Sequence, residues 1–340
     1  MIRIQNIYHM LSYAFRVLQE QRYVSCATEP FENAGDLLAA ILVKGVSAQI
    51  KRGLARSYVE KTEPLSGLRG KIDMTASVKS QALTKQQLVC TYDEFSEDSY
   101  MNRVLKTTMV LLMNSELPKE RKKELRNLLL YFRAIGTLDA YSISWKFRYH
   151  RNNETYRMLM GICYLVIKGL LQTTEDGKVK IMHFLDDQRM SALYEKFILG
   201  FYRWHYPRLL PASSPIEWAL DDDFDDMLPA MKTDIMLRCG EKKLIIDAKY
   251  YTQTMQMNFN HRTVHSANLY QIFAYVKNEA AHGGVVSGLL LYAGTDEEVQ
   301  PNQNYRMSGN QIGVKTLDLN RDFSEIAAQL NEIAAGFSIP

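Results

Sequence analysis

The most constraining feature of this sequence is the stretch 233–251, TDIMLRCGEKKLIIDAKYY, in which two apolar segments flank Gly240 and Glu241. Glycine at the first position of a two-residue loop is typical of a type II′ hairpin turn. Pairing the two strands across that turn places Asp234 directly opposite Asp247, with Cβ atoms roughly 4.5–5.5 Å apart. Because side chains alternate between the faces of a strand, Lys249 shares the face of Asp247. The pattern therefore predicts two carboxylates and an ammonium group on one face of a hairpin.

This arrangement of charges indicates a metal site. Like charges that face each other destabilise a sheet, whereas a divalent cation between the carboxylates would remove the repulsion. Mg²⁺ prefers oxygen ligands and is completed by waters and substrate phosphates. Such a metal activates water and polarises a phosphodiester, and Lys249 would position that water or stabilise charge on the phosphate. The alternative is a surface hairpin with solvated ion pairs, but the strand LIIDAKYY is too apolar to favour it.

Two domains are expected from the order of the sequence patterns. Residues 1–150 alternate helical periodicity, as in 6–21 and in a helix capped by Asp36, with short strands and polar turns. This predicts an α+β domain. Residues 151–340 begin with helical patterns and continue with alternating strands and helices, which predicts an α/β domain. We place the boundary near residue 150.

Charge distribution and cysteine content indicate the kind of partner and the cellular compartment of the protein. Residues 1–150 carry 22 Lys and Arg against 15 Asp and Glu, and residues 151–340 carry 19 against 23. A basic first half suits a polyanion or an acidic partner surface. The four cysteines form no CxxC pair, and we find neither a signal peptide nor an apolar run of bilayer length. These features predict a cytoplasmic protein with reduced thiols and no membrane partner.

The hairpin residues resemble the PD-(D/E)xK nuclease signature, with its leading proline displaced to Pro229. The segment NLYQIFAYV places Gln271 and Tyr275 on one helix face, which resembles the QxxxY motif of RecB-like nucleases. Tyr275 as a core aromatic residue and Gln271 as a solvent-facing residue are the alternatives. The helical segment LYEKFILGFYRW contains Glu195, which matches an additional metal ligand of many such nucleases.

The resemblance implies a restriction-endonuclease-like (PD-(D/E)xK) fold for the second domain. It also implies a set of catalytic residues and a set of Mg²⁺ ligands, with Mn²⁺ as a substitute metal. The catalytic residues would be Asp234, Asp247, Lys249, Gln271 and Tyr275. The ligands would be Asp234, Asp247, Ala248 and Glu195.

An ordered series of motifs resembles the McrC family, the nuclease subunits of the McrBC modified-cytosine restriction system. The series is NIYHMLSYAF, GLRGKID, DEFSED with NRVLK, LYEKF, TDI, DAKYY and HSANLYQIFAYV. The resemblance implies a prokaryotic antiviral DNA-restriction protein that cleaves double-stranded, modified DNA. It also implies that the first domain, residues 1–150, docks on an McrB-like AAA+ GTPase hexamer and stimulates its nucleotide hydrolysis, while residues 151–340 form the nuclease domain. A self-dimer within the complex and a monomer both stay open. The sequence contains no G-x4-G-K-[ST] motif, the phosphate-binding loop of many nucleotide hydrolases. The nucleotide would therefore be hydrolysed by another chain.

Basic residues on strand-and-loop sequence are candidates for the partner-facing surface: Arg52, Arg56, Arg69 and Lys71. Ordinary surface charge is the alternative. His265 precedes the helix of Gln271 and would either touch a phosphate or cap the helix. We assign no metal to the aspartate run 221–226.

Two other functions remain open. The chain would be a regulatory adaptor that activates a motor while its own nuclease site is silent, or a stand-alone RecB-like repair nuclease. The complete set Asp234, Asp247 and Lys249 argues against the first alternative. The lack of a recognisable DNA-reading module argues against the second.

Overall fold

The computed structural model divides the chain into two compact units. The first is Met1–Phe31 with Leu185–Pro340, here called the sheet unit, and the second is Glu32–Phe184, here called the bundle unit. The structure describes residues 2–149, 154–171, 187–222, 224–251, 255–258, 261–294 and 300–338. Both units contain helices and strands, so the chain is a mixed α/β protein.

The helices of the described residues are numbered in chain order. They are α1 (Ile4–Ala14), α2 (Ser25–Thr28), α3 (Ala34–Arg52), α4 (Met74–Lys79), α5 (Tyr100–Met113), α6 (Lys119–Leu129), α7 (Glu154–Leu171), α8 (Asp187–His205), α9 (Ser266–Ala281) and α10 (Phe323–Ser338). The strands are β1 (Ser57–Leu65), β2 (Lys71–Ile72), β3 (Leu88–Ser96), β4 (Pro215–Ile216), β5 (Met231–Lys232), β6 (Ile235–Cys239), β7 (Lys242–Lys249), β8 (Met255–Asn258), β9 (His261–Val264), β10 (Val285–Ala293), β11 (Gln303–Met307) and β12 (Asn310–Leu317).

The bundle unit packs α3, α5, α6 and α7 together beside an antiparallel sheet of order β1-β3-β2. The buried hydroxyl of Tyr156 on α7 donates to Asn102 on α5 at 2.6 Å and accepts from the Ala55 N–H at 2.8 Å. These bonds satisfy polar groups in the interior and fix α7 within this unit. The units therefore differ from the division at residue 150, because α7 packs with the preceding helices. The functional division at 150 stays a prediction.

Two expected helix ends are wrong. Asn33, not Asp36, caps α3, with its side chain accepting from the Asp36 N–H at 2.9 Å. Asp36 is buried and receives Arg121 Nε at 3.0 Å, an ion pair that the local sequence does not indicate. The first helix ends at Ala14 rather than near residue 21, because Phe15 adopts an extended backbone before a short 3₁₀ turn.

The sheet unit is built on a mixed five-stranded sheet of order β11-β12-β10-β7-β6. Strand β10 pairs parallel with both β7 and β12, whereas the edge pairs β6–β7 and β11–β12 are antiparallel. Helix α9 covers one face, where Ile272 and Val276 pack on Ile245, Leu290 and other apolar strand residues. Because side chains alternate along a strand, Asp247 lies on the same face of β7 as Ile245, which is the face that α9 covers.

Helices α1 and α8 pack closely in the sheet unit. A Cβ atom at Gly200 of α8 would lie 2.3 Å from the Tyr13 carbonyl oxygen, so only glycine permits this approach. The phenol of Tyr13 also hydrogen bonds His205 Nε2 at 2.8 Å. No helix in the described part of the chain is long and apolar enough to cross a membrane.

Candidate functional site

The hairpin β6–β7 has the predicted register. Ile235 pairs with Ile246 and Cys239 with Lys242, so the two-residue loop is Gly240-Glu241. Gly240 has φ 57°, a conformation that glycine adopts without a steric penalty. Continuing this register by one residue sets Asp234 opposite Asp247. The predicted register of the hairpin is confirmed from Ile235 to Cys239, and Asp234 lies one residue before β6.

The two carboxyl groups lie together in a partly dehydrated site. Asp234 Oδ2 accepts the Ala248 N–H at 2.9 Å, and Asp247 is buried beside it. Burial and, to a smaller extent, the carboxylates of Asp247 and Glu195 raise the pKa of Asp234 to about 7. Burial also raises the pKa of Asp247, which Lys249 opposes. Without a cation, the pair therefore retains a proton close to neutral pH.

A chain of polar side chains runs from Asp247 to helix α9. Lys249 Nζ lies 2.9 Å from Asp247 Oδ2 and donates to Gln271 Oε1 at 3.1 Å. Gln271 Nε2 donates in turn to the Tyr275 hydroxyl at 2.9 Å. Burial lowers the pKa of Lys249, but the aspartates outweigh that effect and raise its pKa overall. Lys249 therefore stays positively charged and is fixed by Asp247 and Gln271. The structure brings Gln271 and Tyr275 to the same site.

Glu195 lies near the aspartates without joining them in a cluster. Its carboxylate, which accepts from Ser191 Oγ at 3.3 Å, lines a cavity of about 280 Å³ together with Asp234. Burial raises the pKa of Glu195. Within the described residues, no three His, Cys, Asp or Glu side chains are close enough to hold a metal ion. A direct ligand role for Glu195 stays a prediction.

A second polar layer, not predicted from the sequence, lies behind this chain of side chains. Buried Tyr292 on β10 stands in register with Lys249 on β7. Its hydroxyl accepts from Asn268 Nδ2 at 2.9 Å, and Asn268 Oδ1 accepts from the Tyr251 hydroxyl at 3.2 Å. Burial raises the pKa of Tyr292 to about 12, so it stays protonated. The one available signal was the position of Asn268, three residues before Gln271 on a helix face.

The other candidate residues have surroundings of their own. Arg52, Arg56, Arg69 and Lys71 are exposed in the bundle unit. Arg56 pairs with Glu97 at 2.9 Å, and Arg69 lies over the Tyr92 ring at 4.0 Å. His265 precedes α9 without a side-chain capping bond, and its ring packs against Tyr251. The described aspartates of 221–226 are exposed.

Comparisons with known proteins agree with the ordered motifs. The model of the family described as McrBC 5-methylcytosine restriction system component matches residues 4–293. The Escherichia coli K12 protein "Type IV methyl-directed restriction enzyme EcoKMcrBC" is 30% identical over 339 residues, which cover 98% of this chain and 97% of that protein.

Two solved structures were also compared, both of Thermococcus gammatolerans complexes. A half-complex of McrB AAA+ hexamers with bound McrC contains a chain with a TM-score of 0.48 and 17% identity, covering 97% of this chain and 76% of that chain. The McrBC complex gives a TM-score of 0.37 and 19% identity, covering 58% and 56%. The assignment rests instead on the family match and the E. coli relative, which span most of the sequence: this chain belongs to the McrBC 5-methylcytosine restriction system component family.

Proposed function

We propose that this chain is the Mg²⁺-dependent DNA endonuclease subunit of an McrBC-type restriction complex. The observation that carries the proposal is the pair Asp234 and Asp247 at the end of the β6–β7 hairpin ladder, where the Asp234 carboxylate accepts the Ala248 N–H and Lys249 lies 2.9 Å from Asp247. A sheet does not gain stability from buried, facing carboxylates, whereas a divalent cation requires them. The E. coli relative, described as a methyl-directed restriction enzyme, supports the same chemistry.

The donor set fits Mg²⁺. Oδ2 of Asp247 is buried and lacks a hydrogen bond of regular geometry among the described residues, although the Lys249 ammonium lies close to it. The main-chain carbonyl of Ala248, the residue that follows Asp247, would add a third oxygen. Mg²⁺ uses one or two carboxylates and keeps several waters, so the lack of a three-carboxylate cluster does not disfavour it. Mn²⁺ has similar ligand preferences and would substitute.

The protein residues have distinct roles in this proposal. When bound, Mg²⁺ supplies Lewis-acid activation of water and of the scissile phosphate. Asp234 and Asp247 hold the cation, and Lys249 places a positive charge where negative charge develops during phosphodiester cleavage. Gln271 fixes the Lys249 ammonium, and Tyr275 fixes the Gln271 amide. This order of contacts follows the hydrogen bonds from β7 to α9.

The PD-(D/E)xK assignment is part of the proposal. The sheet unit has an antiparallel hairpin that carries the aspartates, continued by parallel strands and covered by α9. The Asp-x-Lys spacing of 247 and 249 and the Gln271–Tyr275 pair occupy one site in this unit. Pro229 lies outside β5, and its carbonyl accepts the Trp218 indole N–H at 2.8 Å. The contacts that join Asp247, Lys249, Gln271 and Tyr275 support the superfamily resemblance.

We further propose that the partner is an McrB-like AAA+ GTPase hexamer acting on modified double-stranded DNA. The family is described as a system component, and this sequence has no P-loop, so nucleotide energy would come from another subunit. The exposed basic residues Arg52, Arg56, Arg69 and Lys71 of the bundle unit are the proposed docking residues. Docking there would stimulate hydrolysis by the partner.

The test combines the full chain with its purified AAA+ partner, modified DNA and Mg²⁺. Asp247→Ala should abolish cleavage while stimulation of nucleotide hydrolysis is retained. Asp221→Ala, an exposed aspartate outside the site, is the matched control and should cleave normally. Normal cleavage by Asp247→Ala would overturn the site assignment. Absence of cleavage by the wild type, with stimulation intact, would favour the adaptor.

A further inference from the structure

A groove separate from the aspartate site lies in the sheet unit, on the sheet face opposite the aspartates. Its volume is about 870 Å³, which is within the range of small-molecule sites. Ile312 and Val314 of β12 point toward α9, so by alternation Gly313 and Lys315 point to the other face. The end of α10, including Gly336 and Phe337, lines the groove there. The five-stranded sheet therefore separates this groove from Asp247 and Lys249.

The charges that line the groove are unbalanced. Among the described lining residues, the cations Arg306 and Lys315 face one carboxylate, Glu332, and Lys242, which has an interaction partner of its own, also lies there. Lys315 is half-buried on β12, and among the described residues neither Lys315 nor Arg306 has an ion-pair partner. A half-buried ammonium without a counter-charge is unfavourable unless an anion is supplied from outside. The groove thus has the charge of an anion site.

The remaining lining indicates an anion attached to a less polar body. Leu289, Ile333 and Phe337 provide apolar surface, while Asn304 and Gln311 provide amide groups that hydrogen bond to a ligand. The Asn304 side chain lies over Gly313, where a Cβ atom would be 3.0 Å from its Oδ1. Arginine and lysine beside amides and an apolar surface match a phosphate joined to a ring system.

We propose that this groove binds a phosphate-bearing nucleotide unit, with the phosphate between Lys315 and Arg306. The inference does not rest on the nuclease proposal, since the two sites use different residues and opposite faces. The same chemistry is present in a free nucleotide and in a nucleotide of a DNA strand. The experiment distinguishes these two sources.

The test measures binding to the full chain in EDTA by calorimetry, with inorganic phosphate, adenosine monophosphate and a short DNA duplex as separate probes. Lys315→Glu replaces an attractive charge with a repulsive one and should weaken binding at least about tenfold. Gly336→Trp fills open space, since no atom lies within 4 Å of a Cβ there, and should block the groove. Arg208→Glu, an exposed charge reversal elsewhere in the sheet unit, is the control.

The outcomes distinguish a free-nucleotide site from a site for a DNA strand phosphate and from no site. Saturable binding of adenosine monophosphate that both groove variants lose and Arg208→Glu keeps establishes a free-nucleotide site. Loss of affinity confined to the DNA probe in both groove variants assigns the groove to a strand phosphate. The proposal is overturned if no probe binds saturably, or if Lys315→Glu and Gly336→Trp bind every probe as the wild type does. Circular dichroism of each variant identifies any loss of fold, and Gly336→Ala serves as the steric control.

Discussion

Removal of the negative charge of Asp234 should stabilise the metal-free protein at alkaline pH. Asp234→Asn keeps a side-chain oxygen that can accept the Ala248 N–H, now 2.9 Å from Asp234 Oδ2. It removes one of two charges that face each other with little water between them. Substitution of a buried functional residue would therefore increase stability rather than lower it.

The magnitude follows from the pKa of Asp234. Burial and the neighbouring carboxylates raise that pKa from 3.8 to about 7, and each pKa unit corresponds to about 1.36 kcal/mol. Because Asp247 shares the proton, we expect a contribution on the order of 2–4 kcal/mol. The unfolded chain loses this proton near pH 4 and the folded chain near pH 7. Wild-type stability should therefore fall as pH rises through that window and stay low above it.

The assay is urea denaturation of the full chain in EDTA at pH 5 and pH 8, followed by tryptophan fluorescence. Asp234→Asn should be more stable than the wild type at pH 8 by the amount above, and at pH 5 by roughly a third of that amount, because the unfolded chain loses the proton near pH 4. Asp221→Asn, an exposed aspartate, should change little at either pH. Mg²⁺ at 100 times its Kd should add about 2.7 kcal/mol to the wild type and much less to the variant. Equal stability of Asp234→Asn and wild type at pH 8 would refute the reasoning.

Three further predictions concern other residues. Lys249→Ala should slow single-turnover cleavage by roughly 10²–10³-fold with DNA affinity nearly unchanged, and a large loss of affinity with normal cleavage would show a mere phosphate contact. Gly200→Ala should destabilise the protein by about 1–3 kcal/mol in urea, because its Cβ would meet the Tyr13 carbonyl, whereas Gly336→Ala in open space should not. Arg69→Glu with Lys71→Glu should weaken stimulation of the partner's nucleotide hydrolysis in a steady-state assay, and undiminished stimulation would place the docking surface elsewhere.

The site was predictable where it depends on short-range geometry. A two-residue turn at Gly240 sets the register of the hairpin, and strand alternation then fixes the faces of Asp247 and Lys249. Helical spacing likewise places Gln271 and Tyr275 together. The family assignment was predictable because several short motifs occur in a fixed order, and it is confirmed.

Long-range contacts were not predictable in the same way. The parallel pairing of Tyr292 with Lys249 joins strands that are separated by a helix, and no local pattern specifies it. Asp36 has the residue type of a helix cap, but it lies within the first turn of α3, and Arg121, 85 residues away, binds its carboxylate. The packing of Gly200 on Tyr13 joins the two chain segments that form the sheet unit. A single boundary along the sequence therefore does not reproduce the compact units.

The central claim is that Asp234 and Asp247 hold the metal for phosphodiester cleavage. The most direct test is single-turnover cleavage of modified DNA by the full chain with its partner, measured after EDTA treatment and after stepwise return of Mg²⁺. The wild type should lose activity in EDTA and recover it with Mg²⁺ or Mn²⁺, while Asp234→Ala and Asp247→Ala should stay inactive at every metal concentration. Cleavage that persists in EDTA, or recovers in either variant as in the wild type, would contradict the account.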